Sequence, residues 1–427
     1  MKFKYGKYIF LYVMILTVFV IGITGCKSQQ KEDSIKYKKT TINKADSDIK
    51  TFENILNDTY NDFNEKKNVT YLDFIKNIVE KFGKKGYIAV DSENQVNMTN
   101  YKDLVDYCEN VKAKNNKNKK ISLFVINYGS AYDTLFLDKT INKDSDYNID
   151  MSFVRYNFAT SKGKVKVDKY LYEFKEKELK KTFMVSYDAD TWKYTEEGYL
   201  FFSGHWESDM YYAYALSDQN EYNAFRVLPL DNECKEYNRK YILPMGYDRN
   251  NMFITNWSNK DYGKVDFYDL YDIFSKWANN GIDSDEYAIE KTYFIPSEKF
   301  EENIMKYIDI SIKDLRSKTY YSKKENGYRY RVRGYIDSEN PSVPYPEVVN
   351  YKKKNNGIIE LMVNAVYPEK SSSNYFTHKV SVKKEDEDNY KYVSNQLVTS
   401  DDKLDISWHV DRMTDKEWEE TYEEDGE

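Results

Sequence analysis

Histidine, cysteine and proline are scarce in this chain: its 427 residues hold three, three and seven of them, with only 16 glycines. Three histidines, at positions 205, 378 and 409, with no His-Glu-x-x-His or Cys-x-x-Cys spacing, supply no ligand set for zinc. No metal or other cofactor is expected. Asp144, Asp146, Asn148 and Asp150 alternate like the start of a calcium loop, but Ile149 stands where the turn glycine belongs and Arg155 where the bidentate glutamate belongs. An acidic loop is the better reading. There is no Gly-x-Ser-x-Gly elbow and no phosphate-cradling glycine loop, and the Ser161-x-x-Lys164 match falls in a hairpin turn where a wall-enzyme site needs a helix start. A cell-wall hydrolase is the least favoured class for want of such a motif; two facing carboxylates stay open in the sequence, because their separation is a tertiary property. The chain is read as non-enzymatic.

Charge of one sign is missing as well. Residues 411–427 carry nine Asp or Glu against two Lys or Arg, a net of −7, which is the whole formal charge of the chain. The body is therefore nearly neutral, without the basic face that nucleic acid demands. At 41% hydrophobic and 17% aromatic the chain can bury sizeable cores, and its length suits two or three domains. The 43 tyrosines accompany many Asn and Lys and few Gly and Pro, as coding from an AT-rich genome produces, so tyrosine abundance alone does not mark a glycan surface.

Long apolar runs are absent except at the start. Lys2, Lys4 and Lys7 precede 16 apolar residues from Tyr8 to Ile23, and Thr24-Gly25-Cys26 follows. A spanning helix needs roughly 20 apolar residues, and this run stops at Gly-Cys without a basic stop-transfer cluster. The arrangement resembles the lipobox of bacterial lipoproteins. It implies a signal peptide over 1–25, a diacylglyceryl thioether on Cys26, a palmitate-type anchor in the bilayer, and a body outside the cytoplasmic membrane of a Gram-positive envelope. Cleavage takes away three lysines and moves the formal charge from −7 to −10. Cys108 and Cys234 then remain, enough for one disulfide but not for a disulfide framework; Cys108, beside Leu104 and Val111 on a helical face, equally suits a small buried hydrophobe.

Residues 26–45 are polar and aperiodic, a flexible tether. Ile49, Phe52, Leu56, Tyr60 and Phe63 recur at helical spacing, and Thr70 with Asp73 makes a capping box flanked by Val69 and Phe74. A third helix over 99–111 lies between a short strand at 87–90 and a loop at 112–120 with five lysines. Period-two stretches at 121–126, 134–137, 153–158 and 165–172 predict antiparallel strands, and Trp192 and Tyr194 are set to face Tyr199 and Phe201 across Glu196-Glu197-Gly198. Asp266 caps a helix carrying Leu270, Phe274 and Trp277. The Asn- and Asp-rich stretch 279–290 is the expected boundary between a domain over 46–278 and a second over 291–400. That second domain predicts a helix from Ser297, a capping box at Ser311 and Asp314, and four strands in two hairpins, the first turned by Asn355-Asn356-Gly357. Residues 401–427 are expected to be a solvated acidic tail, with a partner-docking helix around Trp418 and Tyr422 as the alternative. The fold class is α+β, and the C-terminal helix with its antiparallel meander resembles cystatin-like or nuclear-transport-factor-2-like sheets.

Four separated segments carry a family resemblance: the run from Arg226 to Phe253, Pro344-Tyr345-Pro346-Glu347-Val348-Val349, Phe376-Thr377-His378-Lys379 and Tyr392-Val393-Ser394-Asn395. Together, over roughly residues 70–400, they resemble a family of uncharacterised lipoproteins, a domain of unknown function, from Clostridium-like Firmicutes. The resemblance implies location and architecture and lends no catalytic residues. His378 shares strand parity with Phe376, Val380 and Val382, so a hydrogen-bonded core histidine is the first expectation. With Tyr392 on the neighbouring strand it is also the best polar lining for a pocket, and Trp192, Tyr199 and Trp257 are the aromatic candidates. The leading expectation is a binding or interaction module on the outer membrane face, meeting an envelope protein or a wall component. The runner-up binds a glycan, peptide or small molecule in an aromatic pocket within residues 192–277.

Overall fold

A local capping signal sets the start of the second helix. In the computed structural model, residues 42–114, 119–128, 137–138, 140–141, 151–161, 163–175, 178–205, 220–277, 288–289, 291–334, 337, 342–386, 389–399 and 404–422 are described. The chain divides into two units, residues 1–50 and 51–427. Of the first unit only residues 42–50 are described, and they are helical, so helix α1 (Ile42–Glu65) starts inside the expected tether. Helix α2 (Tyr71–Lys84) begins with the expected box: Thr70 Oγ1 accepts from Asp73 N at 3.1 Å and Asp73 Oδ2 accepts from Thr70 N at 3.2 Å. Phe74, Ile75, Ile78, Val79 and Phe82 form its buried stripe.

Strand β1 (Ile88–Asp91), helix α3 (Tyr101–Lys112) and strand β2 (Lys120–Tyr128) make a strand–helix–strand unit, and β1 pairs with β2 in parallel. The antiparallel expectation covers residues 121–206; the short strand before it pairs in parallel, because the helix between β1 and β2 returns the chain in the same direction. Strands β3 (Met151–Ser161), β4 (Lys164–Lys175) and β5 (Glu178–Asp188) extend the sheet antiparallel, in order β1-β2-β3-β4-β5. One of its faces takes Phe52 and Phe82 from the helices against Phe124 and Phe153, with ring centroids 5.1–6.0 Å apart. The other packs on a three-stranded sheet of β6 (Thr191–Tyr194), β7 (Tyr199–His205) and β8 (Asn220–Arg226), where Tyr156 and Phe158 meet Phe202 and Phe225. Gly204 permits this contact: a Cβ there would lie 2.2 Å from the Tyr187 ring. The strand expected at 134–137 and the calcium-like alternation at 144–150 fall outside the described residues, apart from Leu137, which lies in a turn.

The second core gathers residues from Cys234 to Trp408. Helix α4 (Asn232–Tyr237) runs into a wide turn at Asn238–Ile242, followed by β9 (Trp257–Ser258), α5 (Phe267–Trp277), β10 (Tyr293–Pro296), α6 (Ser297–Tyr307), α7 (Ile312–Ser317), β11 (Tyr321–Ser322) and β12 (Gly327–Tyr330). Then come the expected hairpins, β13 (Tyr345–Lys353) with β14 (Ile358–Val366) and β15 (Thr377–Lys384) with β16 (Tyr390–Leu397). Asn356 and Gly357 turn the first at φ 63° and 73°, the left-handed region that Asn-Gly tolerates.

The boundary placed at 279–290 does not separate two cores. The sheet has five strands in order β13-β14-β15-β16-β9, and its last strand comes from before that stretch, with Trp257 opposite Asn395. Phe267, Leu270, Tyr271 and Phe274 of α5 share one core with Phe300 and Ile304 of α6. Composition marks a polar loop there, and strand pairing carries the core across it. The acidic tail is corrected too: Trp408 is 2% exposed within this core, and residues 415–422 form helix α8 (Asp415–Tyr422) with Trp418 buried. Two tryptophans outweigh the surrounding acids as determinants of burial. Among the described residues no helix is long and apolar enough to cross a membrane.

Candidate functional site

Helix spacing aligns three carboxylates on α5. Asp266 caps the helix, accepting from Tyr268 N at 2.8 Å and Asp269 N at 3.1 Å; Asp269 and Asp272 follow at intervals of three, which places them on one face. Two arginines close on that face. Arg333 donates Nε and Nη2 to the Asp269 oxygens at 2.8 and 2.6 Å, and Arg412 reaches Asp269 at 2.8 Å and Asp272 at 2.5 Å. Tyr330 Oη also donates to Asp272, at 2.6 Å. Burial by itself would raise the Asp269 carboxyl, yet the Arg412 and Arg333 charges hold it below the ordinary carboxylate value. Asp266, with weaker compensation, is pushed up to about 6 by burial and by Asp269 beside it. The remaining donors tie down the chain itself: Arg333 Nη1 donates to Val410 O at 2.9 Å and Arg412 Nη1 to Arg331 O at 2.6 Å.

Beside this clamp a cleft of about 850 Å³ opens between the α5 N-terminus, β12 and the C-terminal segment. Strand alternation decides what it presents. Tyr328 and Tyr330 point into the core, at 0% and 2% exposure, so Arg329 and the following Arg331 point outward. Arg329 lies over the Tyr320 ring at 4.6 Å and Arg331 over Trp418 at 3.8 Å. The Asp415 carboxylate bridges both guanidiniums, bonding Arg329 Nη2 and, at 3.0 Å, Arg331 Nη1. Paired guanidiniums backed by aromatic rings are the arrangement that recognises carboxylate and phosphate. Of these side chains the sequence singles out only Trp418, in the alternative reading of the tail as a docking helix; the arginines and Tyr320 it does not. The alternating Tyr328-Arg329-Tyr330-Arg331 pattern was the signal available for finding them.

The five aromatic and histidine candidates do not line a common pocket. Trp192 stands opposite Phe202, and Tyr194 opposite Leu200, one residue away from the expected pairing. That single step puts Trp192 and Tyr199 on opposite faces of the sheet, Trp192 against the first core and Tyr199 with Phe201 in a separate cluster. Trp257 is buried in the second core with its Nε1 on Met252 O at 2.9 Å. His378 and Tyr392 are both 0% exposed. Asn395 Nδ2 donates to the Phe253 and Thr255 carbonyls, so its Oδ1 accepts from His378 Nδ1 at 2.7 Å, and His378 Nε2 accepts from Tyr247 Oη at 2.9 Å. Burial pulls the His378 pKa down to about 4. Tyr392 Oη donates to Tyr241 O at 2.5 Å. His378 is thus the hydrogen-bonded core histidine of the first expectation. Cys108 and Cys234 do not pair: each is free and buried, one in the first core and one in the second. Cys26 lies outside the described residues.

The four motif segments meet inside the protein. Arg226 Nη1 donates to Glu347 Oε2 at 2.7 Å, Tyr199 Oη to Glu347 Oε1 at 2.8 Å, and Val348 N to Asn238 Oδ1 at 3.1 Å. The nearby Lys235 ammonium, drawn down to about 8 by burial, donates to Asn94 O at 2.5 Å. With Tyr247, His378 and Asn395, these contacts make the motifs a record of buried polar bonding that holds the fold. Among the described residues no group of three or more His, Cys, Asp or Glu is placed to hold a metal.

A family model spans residues 42–412, most of the chain. The chain belongs to the family of unknown function DUF6070. No curated protein and no solved structure matches it. The matched residues of this DUF6070 chain include the clamp arginines and both cleft arginines, and they end at Arg412, before α8.

Proposed function

We propose that this protein is a lipid-anchored, extracytoplasmic binding protein that takes an anionic ligand in the cleft beside β12 and works without catalysis. The observation that carries this reading is the outward arginine pair, Arg329 and Arg331, framed by Tyr320 and Trp418 at the edge of a cleft of about 850 Å³. Such a volume lies within the range of small-molecule and short-peptide sites, roughly 300–1,000 Å³. The anchor rests on the sequence alone: Lys2, Lys4 and Lys7, the apolar run from Tyr8 to Ile23, and Cys26 behind Gly25. A tether of the length that separates Cys26 from α1 would let the body sample the wall close to the membrane.

Two measurements test the two halves of the proposal. Radiolabelled palmitate should enter the wild-type chain and be lost from Cys26→Ala, with mass spectrometry finding the new N-terminus at Cys26; an intact leader, or recovery from cytosol, would remove the anchor. Calorimetric titration of the purified chain with soluble muropeptides, which carry free carboxylates, should show saturable binding weakened at least tenfold by Arg331→Ala. Binding that ignores this substitution would place the site elsewhere, and no binding by any anionic probe would end the reading.

A further inference from the structure

Helix α8 covers the arginine pair in the manner of a bound ligand. Its Asp415 bridges Arg329 and Arg331, Glu419 Oε1 lies 3.6 Å from Arg331 Nη2, and the Trp418 indole stacks on the Arg331 guanidinium at 3.8 Å. Three residues spaced at positions one, four and five of a short helix thus satisfy two guanidiniums from one side. The helix is weak in its own right. It has eight residues, no basic residue in its last turn against the helix dipole, and isolated helices of this length do not hold in water. Its local support is a capping box in which Glu417 Oε2 accepts from Thr414 N at 2.8 Å, an exposed Lys416–Glu420 pair at 3.4 Å and the Trp418–Tyr422 ring contact.

The fit is also incomplete. Trp418 is 6% exposed, and its indole N–H is buried with no acceptor. A buried unmatched donor weakens the docked state of α8, and a competing segment that brings an acceptor for its own indole would bind the same face better. Moreover, α8 is separable from the fold beneath it. The chain up to Arg412 is held by Arg333 on Val410 O and by Arg412 on Asp269 and Asp272, none of which α8 supplies. The family match follows the same division: it includes Arg329 and Arg331 and stops at Arg412.

We infer that the Arg329–Arg331 face is a recognition site for an acidic, tryptophan-bearing peptide segment of a partner protein, patterned Asp-x-x-Trp-Glu along one helical turn, and that α8 is its tethered occupant in cis. The local concentration of a tethered segment lets α8 hold the site until a better-matched segment displaces it. This names a ligand class for the cleft and rests on the binding role proposed for it.

The test uses a fluorescein-labelled peptide of residues 413–422 and fluorescence anisotropy on the full chain. A variant with α8 released, Asp415→Asn with Trp418→Ala, should bind the peptide at least tenfold more tightly than wild type, and adding Arg331→Ala should abolish that gain. Equal affinity for wild type and released variant, or a gain that survives Arg331→Ala, overturns the inference. Hydrogen exchange on the 15N-labelled wild-type chain needs no substitution: saturating unlabelled peptide should speed exchange at residues 415–422 at least tenfold and leave Val410 to Arg412 unchanged. Unaltered exchange at α8 overturns the inference independently. Muropeptide binding that depends on Arg331, with no peptide binding to the released variant, would remove this inference and leave the cleft reading standing.

Discussion

Asp269 and Asp415 are each gripped by two arginines, yet they sit in different solvents. Asp269 is 2% exposed with Arg333 at 5% and Arg412 at 10%, whereas Asp415 is 31% exposed with Arg329 at 29% and Arg331 at 13%. In the first cluster, every partner that departs leaves a charge stranded away from water, so the arrangement locks. In the second, water already reaches the Asp415 carboxylate and Arg329 and replaces a departing partner there at smaller cost, which suits the exchange proposed for α8. The lesson is that ion-pair geometry alone does not separate a structural clamp from a recognition site; the solvent reaching it does.

The largest effect that would break this comparison is Asp269→Ala. Removing the shared carboxylate strands Arg333 and Arg412 and should lower stability by about 3–5 kcal/mol, read from the urea midpoint at neutral pH. A loss under about 1 kcal/mol would make the clamp no different from the exposed bridge.

Acid sharpens the contrast next. His378 titrates near 4 in the fold against 6.5 ordinarily. Below pH 6.5 the unfolded chain therefore takes up a proton that the folded chain refuses. Stability present above pH 6.5 is lost as pH falls toward 4, by on the order of 3 kcal/mol. Asp269, depressed by its arginines, adds a further loss as pH falls through its own folded pKa. Asp266, raised to about 6, works in the opposite sense: the folded state keeps its proton longer, and that contribution is lost as pH rises through 6. The informative quantity is consequently the difference between wild type and His378→Gln, whose stability slope between pH 6.5 and 4 should be shallower. Identical slopes would assign the acid sensitivity to another group.

Asp415→Asn should cost only about 0.2–1 kcal/mol, and the cost should shrink further in high salt. A salt-independent loss above about 2 kcal/mol would turn α8 into part of the clamp. The smallest effect is none: with Cys108 and Cys234 free in separate cores, a reductant should leave the melting midpoint unchanged.

What could be read along the chain followed from short-range chemistry. The Thr70–Asp73 box, the Ser311 cap accepting from Asp314 N at 3.1 Å, the Asp266 cap and the Asn356-Gly357 turn all depend on residues within three or four positions of one another. The inward parity of His378 was legible for the same reason. Misreadings arose where a distant partner decides. The sequence pattern puts Trp192 and Tyr199 on one surface, but the hairpin register lies one residue from the tightest pairing, and period-two side chains change face with each step. The polar stretch at 279–290 reads as a boundary because nothing local announces that β9 will pair with β16 across it.

Residue order by itself determined the α+β class, the helix caps, the hairpin turn, the neutral body with its acid-rich end and the lipobox-like string at Cys26, because each is written in neighbours a few bonds apart. Tertiary structure alone decided which charges are shielded. Asp269 and Asp415 read alike in a sequence, both acids near helix starts, and only packing took the first carboxylate away from water and left the second within its reach, each between two arginines. The strength of a charge pair depends on the medium around it, and that medium exists only once the chain has folded.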